Sequence, residues 1–144
     1  MTEANFADGD TLTEDTLPEA AIVDDTATVG TGSVTTITTF EEVLDPNGWL
    51  SSGELRAPTD GVYLVTLQVQ WSSISTSARI LAWIVRNGTN TIGDDRQAGS
   101  STPKQTVTAL MEFEAGDIIR ARLFQDGGAS ETPYVYLAAA RITP

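Results

Sequence analysis

From Ser33 onward, apolar and polar positions alternate in short runs broken by turn residues, with almost no helical spacing. The cleanest run follows Gly61. In Val62-Tyr63-Leu64-Val65-Thr66-Leu67-Gln68-Val69-Gln70-Trp71 every odd position is apolar and the even positions become polar towards the end, the two-residue period of a half-buried strand. Val34, Thr36, Thr38 and Phe40 fall on one face of a Thr-rich segment, which predicts an earlier strand. Between Arg79 and Arg86 the run Ile80-Leu81-Ala82-Trp83-Ile84-Val85 is apolar on both faces, as in a strand covered on both sides, and it ends at the hairpin pair Asn87-Gly88. Val107, Ala109, Met111 and Phe113 alternate with Thr and Glu before an Ala115-Gly116-Asp117 turn into Ile118 to Gln125. The loop Asp126-Gly127-Gly128 leads to a last strand over Tyr134 to Ile142. Roughly eight strands at short, regular spacing predict an all-β antiparallel sandwich or barrel.

Residues 1–32 differ in kind. They carry Glu3, Asp8, Asp10, Glu14, Asp15, Glu19, Asp24 and Asp25, no basic residue, and well-separated apolar positions at Phe6, Leu12, Leu17, Ile22 and Val23. The stretch closes on Gly30-Thr31-Gly32, a flexible break before the alternating pattern begins. This predicts an extended acidic arm over 1–32 and a β-domain over 33–144. A solvated acidic tail and an anchoring segment with spaced apolar contacts are the two readings of the arm.

Composition removes most chemistry. The 144 residues include no Cys and no His, which excludes disulfides, thiol nucleophiles and the usual general base, so that any catalysis would need carboxylates alone. Lys and Arg number 8 against 20 Asp and Glu, a net charge of -12, and the first basic residue is Arg56; binding to nucleic acid is not expected. The longest purely apolar run, Ile80 to Val85, is far too short to span a membrane, and the absence of early basic residues gives no secretory leader. No membrane association is expected.

The segment Phe40 … Gly53-Glu54-Leu55-Arg56-Ala57-Pro58-Thr59-Asp60-Gly61-Val62-Tyr63 resembles the globular-head jelly roll shared by complement and tumour necrosis factor ligands. Arg86-Asn87-Gly88, Glu114-Ala115-Gly116-Asp117-Ile118-Ile119-Arg120 and Tyr134-Val135-Tyr136-Leu137 fall in the same order as their counterparts there. The resemblance covers about 33–144 and implies an antiparallel jelly-roll β-sandwich that assembles as a homotrimer. The chain departs from the pattern at Ala138-Ala139-Ala140-Arg141, where bulkier residues are usual. In the arm, Phe6-Ala7-Asp8-Gly9-Asp10-Thr11-Leu12-Thr13 resembles the leader of tailed-virus virion proteins, which implies a modular virion part with an anchoring leader and a head.

Asp8-x-Asp10, Asp24-Asp25 and Asp94-Asp95 lack the loop spacing and downstream Glu of a calcium site, and no metal or other cofactor is expected. Paired carboxylates working across a cleft find little room in a small sandwich, so the chain is expected not to be an enzyme. Asn87-Gly88-Thr89 is formally a glycosylation acceptor, but the hairpin turn accounts for it. Arg120 and Arg122 share a strand face with Ile118 and Phe124, either as solvated side chains or as partners for acids of a neighbouring copy. With Leu81, Trp83, Val85, Tyr134 and Tyr136 as buried anchors, they are the candidate trimer interface. The expected function is that of a homotrimeric capsid decoration protein of a tailed virus, located on the virion, whose partners are itself and the major capsid protein or other virion subunits. Phe6, Leu12, Leu17, Ile22 and Val23 would dock on the shell. The alternative is a tail or fibre tip that recognises a host glycan or surface protein through the loops Ser72 to Ala78, Gly93 to Pro103 and Asp126 to Pro133.

Overall fold

The computed structural model describes residues 19–142. Its strands, in chain order, are β1 (Ala20–Thr26), β2 (Thr35–Ile37), β3 (Glu41–Leu44), β4 (Leu50–Ser51), β5 (Glu54–Arg56), β6 (Gly61–Gln70), β7 (Arg79–Arg86), β8 (Thr89–Gln97), β9 (Lys104–Phe113), β10 (Ile118–Gln125) and β11 (Tyr134–Arg141). A front sheet runs β3-β1-β11-β6-β9 and a back sheet runs β4-β5-β10-β7-β8, with β2 also on β10; every ladder between strands is antiparallel. The fold is a jelly-roll β-sandwich.

Alternation built the core. Tyr63, Val65, Leu67 and Val69 of β6 and Val135, Leu137 and Ala139 of β11 meet Ile80, Ala82 and Ile84 of β7 and Ile119, Ala121 and Leu123 of β10 between the sheets. Trp49, Tyr63 and Phe113 stack edge to face, with centroids 5.6 and 5.5 Å apart. Two polar groups inside are fully engaged. Trp71 Nε1 donates to Gln105 Oε1 at 2.8 Å while Gln105 Nε2 donates to the Asp94 carbonyl at 2.9 Å. Gln125 Nε2 donates to the carbonyls of Val29 and Ala129, and its Oε1 accepts from the Gly127 N–H at 2.7 Å.

The boundary predicted at residue 32 falls inside the sandwich. β1 lies between β3 and β11, in register from Ala20↔Ala140 to Thr26↔Tyr134, and Ala21 and Val23 are fully buried. Beyond β1, Ala27 and Val29 continue into the core, Val29 exchanges backbone hydrogen bonds with Glu131, and the Gly32 N–H donates to the Gln125 carbonyl. Gly30-Thr31-Gly32 is therefore a pinned segment. Val23 is a core residue, which corrects its reading as a shell-docking residue, and Ile22 stands half-buried on the outer side of the front sheet. Phe6, Leu12 and Leu17 lie outside the described residues.

Two local readings also change. β2 turns Ile37 inward and Thr36 outward, so the inward residue of this segment is not among Val34, Thr36 and Thr38, although Phe40 after it is buried. Gly93 to Gln97 belongs to β8, an edge strand, and not to a loop. At Asn87-Gly88 both residues have positive φ, 49° and 89°, as a tight hairpin turn requires.

Candidate functional site

The sandwich has two ends. At one, the β6–β7, β8–β9 and β10–β11 loops converge: the Ile74 N–H donates to Ser101 O, the Gly99 N–H to Thr76 O and the Trp71 N–H to Pro103 O. At the other lie Glu19, the β5–β6 and β9–β10 turns, the Asn87-Gly88 hairpin and the exit of β11. Here Arg141 is held by Glu19 Oε2 at 2.9 Å and by the Asp60 carbonyl at 3.1 Å. Glu19, the first described residue, thus lies at the end opposite the loops.

That end is fixed by Asp117. Its carboxylate accepts from the Glu114 N–H at 2.8 Å, Asn87 Nδ2 at 2.7 Å and Arg86 Nε at 2.9 Å, tying the β7–β8 and β9–β10 turns together. Burial alone would push this carboxyl up, but the Glu114 amide, Asn87 and Arg86 outweigh burial and hold it below the usual carboxylate range. Because the folded value is the lower one, the stability Asp117 contributes is complete above the unfolded value of about 4 and is lost as pH falls through the folded value. Asp117→Asn is expected to cost about 1–3 kcal/mol at neutral pH and to flatten the acid side of the stability profile, as urea melts from about pH 6 down to pH 2 would record.

The outer face of the front sheet is short-chained and apolar at its centre. Ala20, Ile22, Ala138 and Ala140 line an open dent of about 220 Å³ together with Leu64 and Thr66. Leu64, Leu110 and Leu44 beside it are 41%, 64% and 50% exposed. Such a contiguous exposed patch is characteristic of a contact surface. Tyr134 and Tyr136 extend this face towards the loop end, where Tyr134 Oη donates to Asp24 Oδ2 at 2.8 Å. That bond, and then burial, raise the tyrosine above its ordinary value.

The outer face of the back sheet holds the other predicted interface residues. Arg120 is opposite Val85 and Arg122 opposite Trp83, with Phe124 opposite Leu81 in the next pair. Leu81 and Val85 are buried beneath the surrounding long side chains, Trp83 is half-buried, and Arg120 is bound by Glu54 at 2.6 Å. The seven residues grouped as one trimer interface therefore divide between opposite sides of the sandwich, Tyr134 and Tyr136 on the front and Leu81, Trp83, Val85, Arg120 and Arg122 on the back. The front-face residues that sequence reasoning missed are Ala20, Leu64, Leu110 and Ala138; the run Ala138-Ala139-Ala140, noted there only as a departure, was their signal. Among the described residues no cluster of three or more acidic side chains is arranged to hold a metal ion.

No family model matches the chain, and no curated protein matches it. Among solved structures, the vertex protein P5 of phage PRD1 superimposes with a TM-score of 0.69 at 18% identity, covering 86% of this chain and 96% of that one. The globular domain of zebrafish complement 1qA gives 0.64 at 15% identity over 88% and 98% of the two chains. Murine APRIL gives 0.61 at 14% identity over 85% and 99%. The chain has the jelly-roll fold of these proteins, in keeping with the resemblance in its turn motifs.

Proposed function

We propose that this chain is a structural virion protein, a homotrimeric decoration protein of a tailed-virus capsid. Three heads meet about a threefold axis through the outer face of the front sheet, and residues 1–18 of each hold the trimer on the shell. The observation that carries this reading is the polarity of the head. An anchor joined at Glu19 sits at one end of the sandwich and turns the loop cluster at the other end away from whatever it grips. The fold shared with a phage vertex protein supports a part in a virion, and the apolar front face supports self-association. The jelly roll common to this chain and the complement and tumour necrosis factor heads supports a trimer in particular.

Three arms on one trimer gain from effective concentration, so that weak individual docking becomes durable attachment. A contact of about 1,500 Å² for each arm and base would be of ordinary protein–protein size. Catalysis has no part in this reading. The test is binding of purified full-length protein and of a variant lacking residues 1–18 to shells stripped of it, with copies per particle counted. Saturation of many shell sites by the full-length trimer, and none by a truncated one that stays trimeric, is the expected result. A few copies at the tail, or binding to host cells without binding to shells, would overturn decoration in favour of a tail-tip module.

A further inference from the structure

Six of the seven arginines of this chain have a carboxylate within 4 Å. Arg56 and Arg120 face Glu54, Arg79 faces Asp95, Arg86 faces Asp117, Arg96 faces Asp94 and Arg141 faces Glu19. Among the described residues, Arg122 is the arginine with no carboxylate partner. It is nonetheless held in place: Nε donates to Thr36 Oγ1 at 3.1 Å and Nη1 to Asn90 Oδ1 at 2.8 Å. Both acceptors are neutral, so the guanidinium is oriented but keeps its full charge, in a chain of net charge -12. Both N–H groups of Nη2 and one of Nη1 are left over from these two bonds and can donate to a carboxylate. The Asn87-Gly88 turn lies beside Nη2, where a β-carbon at position 88 would stand 3.9 Å away, an ordinary contact.

Directly across the ladder from Arg122 is Trp83. Its indole occupies the space that a side chain at Gly93 would fill: a β-carbon at 93 would lie 2.4 Å from Trp83 Cδ1 and 2.6 Å from the Ala82 carbonyl. The edge strand thus supplies a glycine where the ring settles, and the half-buried ring remains open to solvent on the same face as Arg122. Beyond Asn90 the surface falls into an open depression of about 520 Å³ lined by Arg86, Asn87, Thr89, Asn90 and Thr91. An aromatic platform, an uncompensated guanidinium and a polar hollow lie side by side.

We propose that this patch is a binding site for a carboxylate-bearing saccharide, such as a uronic acid polymer. The apolar face of a pyranose ring covers Trp83, its carboxylate accepts from the free N–H groups of Arg122, and the Asn90 amide and Thr36 hydroxyl meet ring hydroxyls. Charge chooses the ligand: the site offers donors and a positive charge, which a neutral sugar uses only in part. The site lies on the back sheet alone and requires that this face stay uncovered in the assembly, as it does when the heads meet through the front sheet.

The test is calorimetric titration of the full chain, at low salt, with three probes: a short oligogalacturonate, an uncharged malto-oligosaccharide of equal length, and a peptide of residues 1–18. Saturable binding of the oligogalacturonate is expected, weakened about tenfold or more by Arg122→Gln and by Trp83→Ala. Arg122→Gln keeps the stem of the side chain and decides alone should Trp83→Ala fail to fold. No saturation with oligogalacturonate, equal affinity for the uncharged chain, binding of the acidic peptide in its place, or an unchanged Arg122→Gln would each overturn the proposal. Dissociation of the assembly by Arg122→Gln, read by light scattering, would also overturn it and make the patch a subunit contact.

Discussion

Removal of residues 1–32 is expected to leave no folded head, whereas removal of residues 1–18 leaves it intact. The longer deletion takes out β1 from between β3 and β11, together with the pinned segment after it. Val23 and Val29, both fully buried, contribute about 1.5–3 kcal/mol each by burial, and Ala21 and Ala27 add to this. The deletion also strips the backbone partners from the edge of β11 and from Gln125, whose amide donates to Val29 O. Together these losses rival the whole of a typical domain stability of about 5–15 kcal/mol. Circular dichroism and proteolysis of the two deletions separate the cases. A folded, cooperative Δ1–32 variant would mean that β1 is dispensable. The point matters for the proposed function, because only the shorter deletion would test docking by the arm apart from the integrity of the sandwich.

The second large effect concerns assembly. If the heads assemble as proposed, Ala138→Arg is expected to turn the trimer into single chains while moving the melting temperature of the head little. Ala138 points away from the core at the centre of the front face, between Ile22 on β1 and Thr66 on β6. In a lone chain an arginine there lies on the surface, where substitutions change stability by about 0.5 kcal/mol. In the trimer, three unpaired guanidinium groups would be buried against one another, at several kcal/mol for each. Every 1.4 kcal/mol is about tenfold in association, so trimer would vanish at micromolar concentration. Light scattering reads the result. A trimer unaffected by Ala138→Arg would move the subunit contact off the front sheet.

How much of this was legible in the sequence depends on how each strand is buried. β6, β7, β9, β10 and β11 could be read because one face of each lies in the core, which forces apolar residues onto alternate positions. β8, Thr-Asn-Thr-Ile-Gly-Asp-Asp-Arg-Gln, is an exposed edge whose one strand partner is β7, and backbone pairing leaves no mark on side-chain choice. β1 had a signal that charge concealed: Ala21, Val23, Ala27 and Val29 occupy odd positions, but Asp24-Asp25 between them made the stretch look like part of the acidic arm. The interface was harder in principle. Alternation says which side chains turn away from the core, not which of two sheets carries them, so Trp83 and Arg122 were grouped with Tyr134 and Tyr136 although a whole sandwich lies between.

Glu19 and Ile142, the two points at which the described chain leaves the sandwich, lie at the same end, where the Arg141 N–H donates to Glu19 O and the Ile142 N–H to Val62 O. A cargo domain fused after residue 144 would therefore follow on from the end of the sandwich at which Glu19 lies. Cargo inserted at Ser100, exposed in the β8–β9 loop, would be carried at the far end. As a scaffold for multivalent display, this head favours loop grafting over tail fusion.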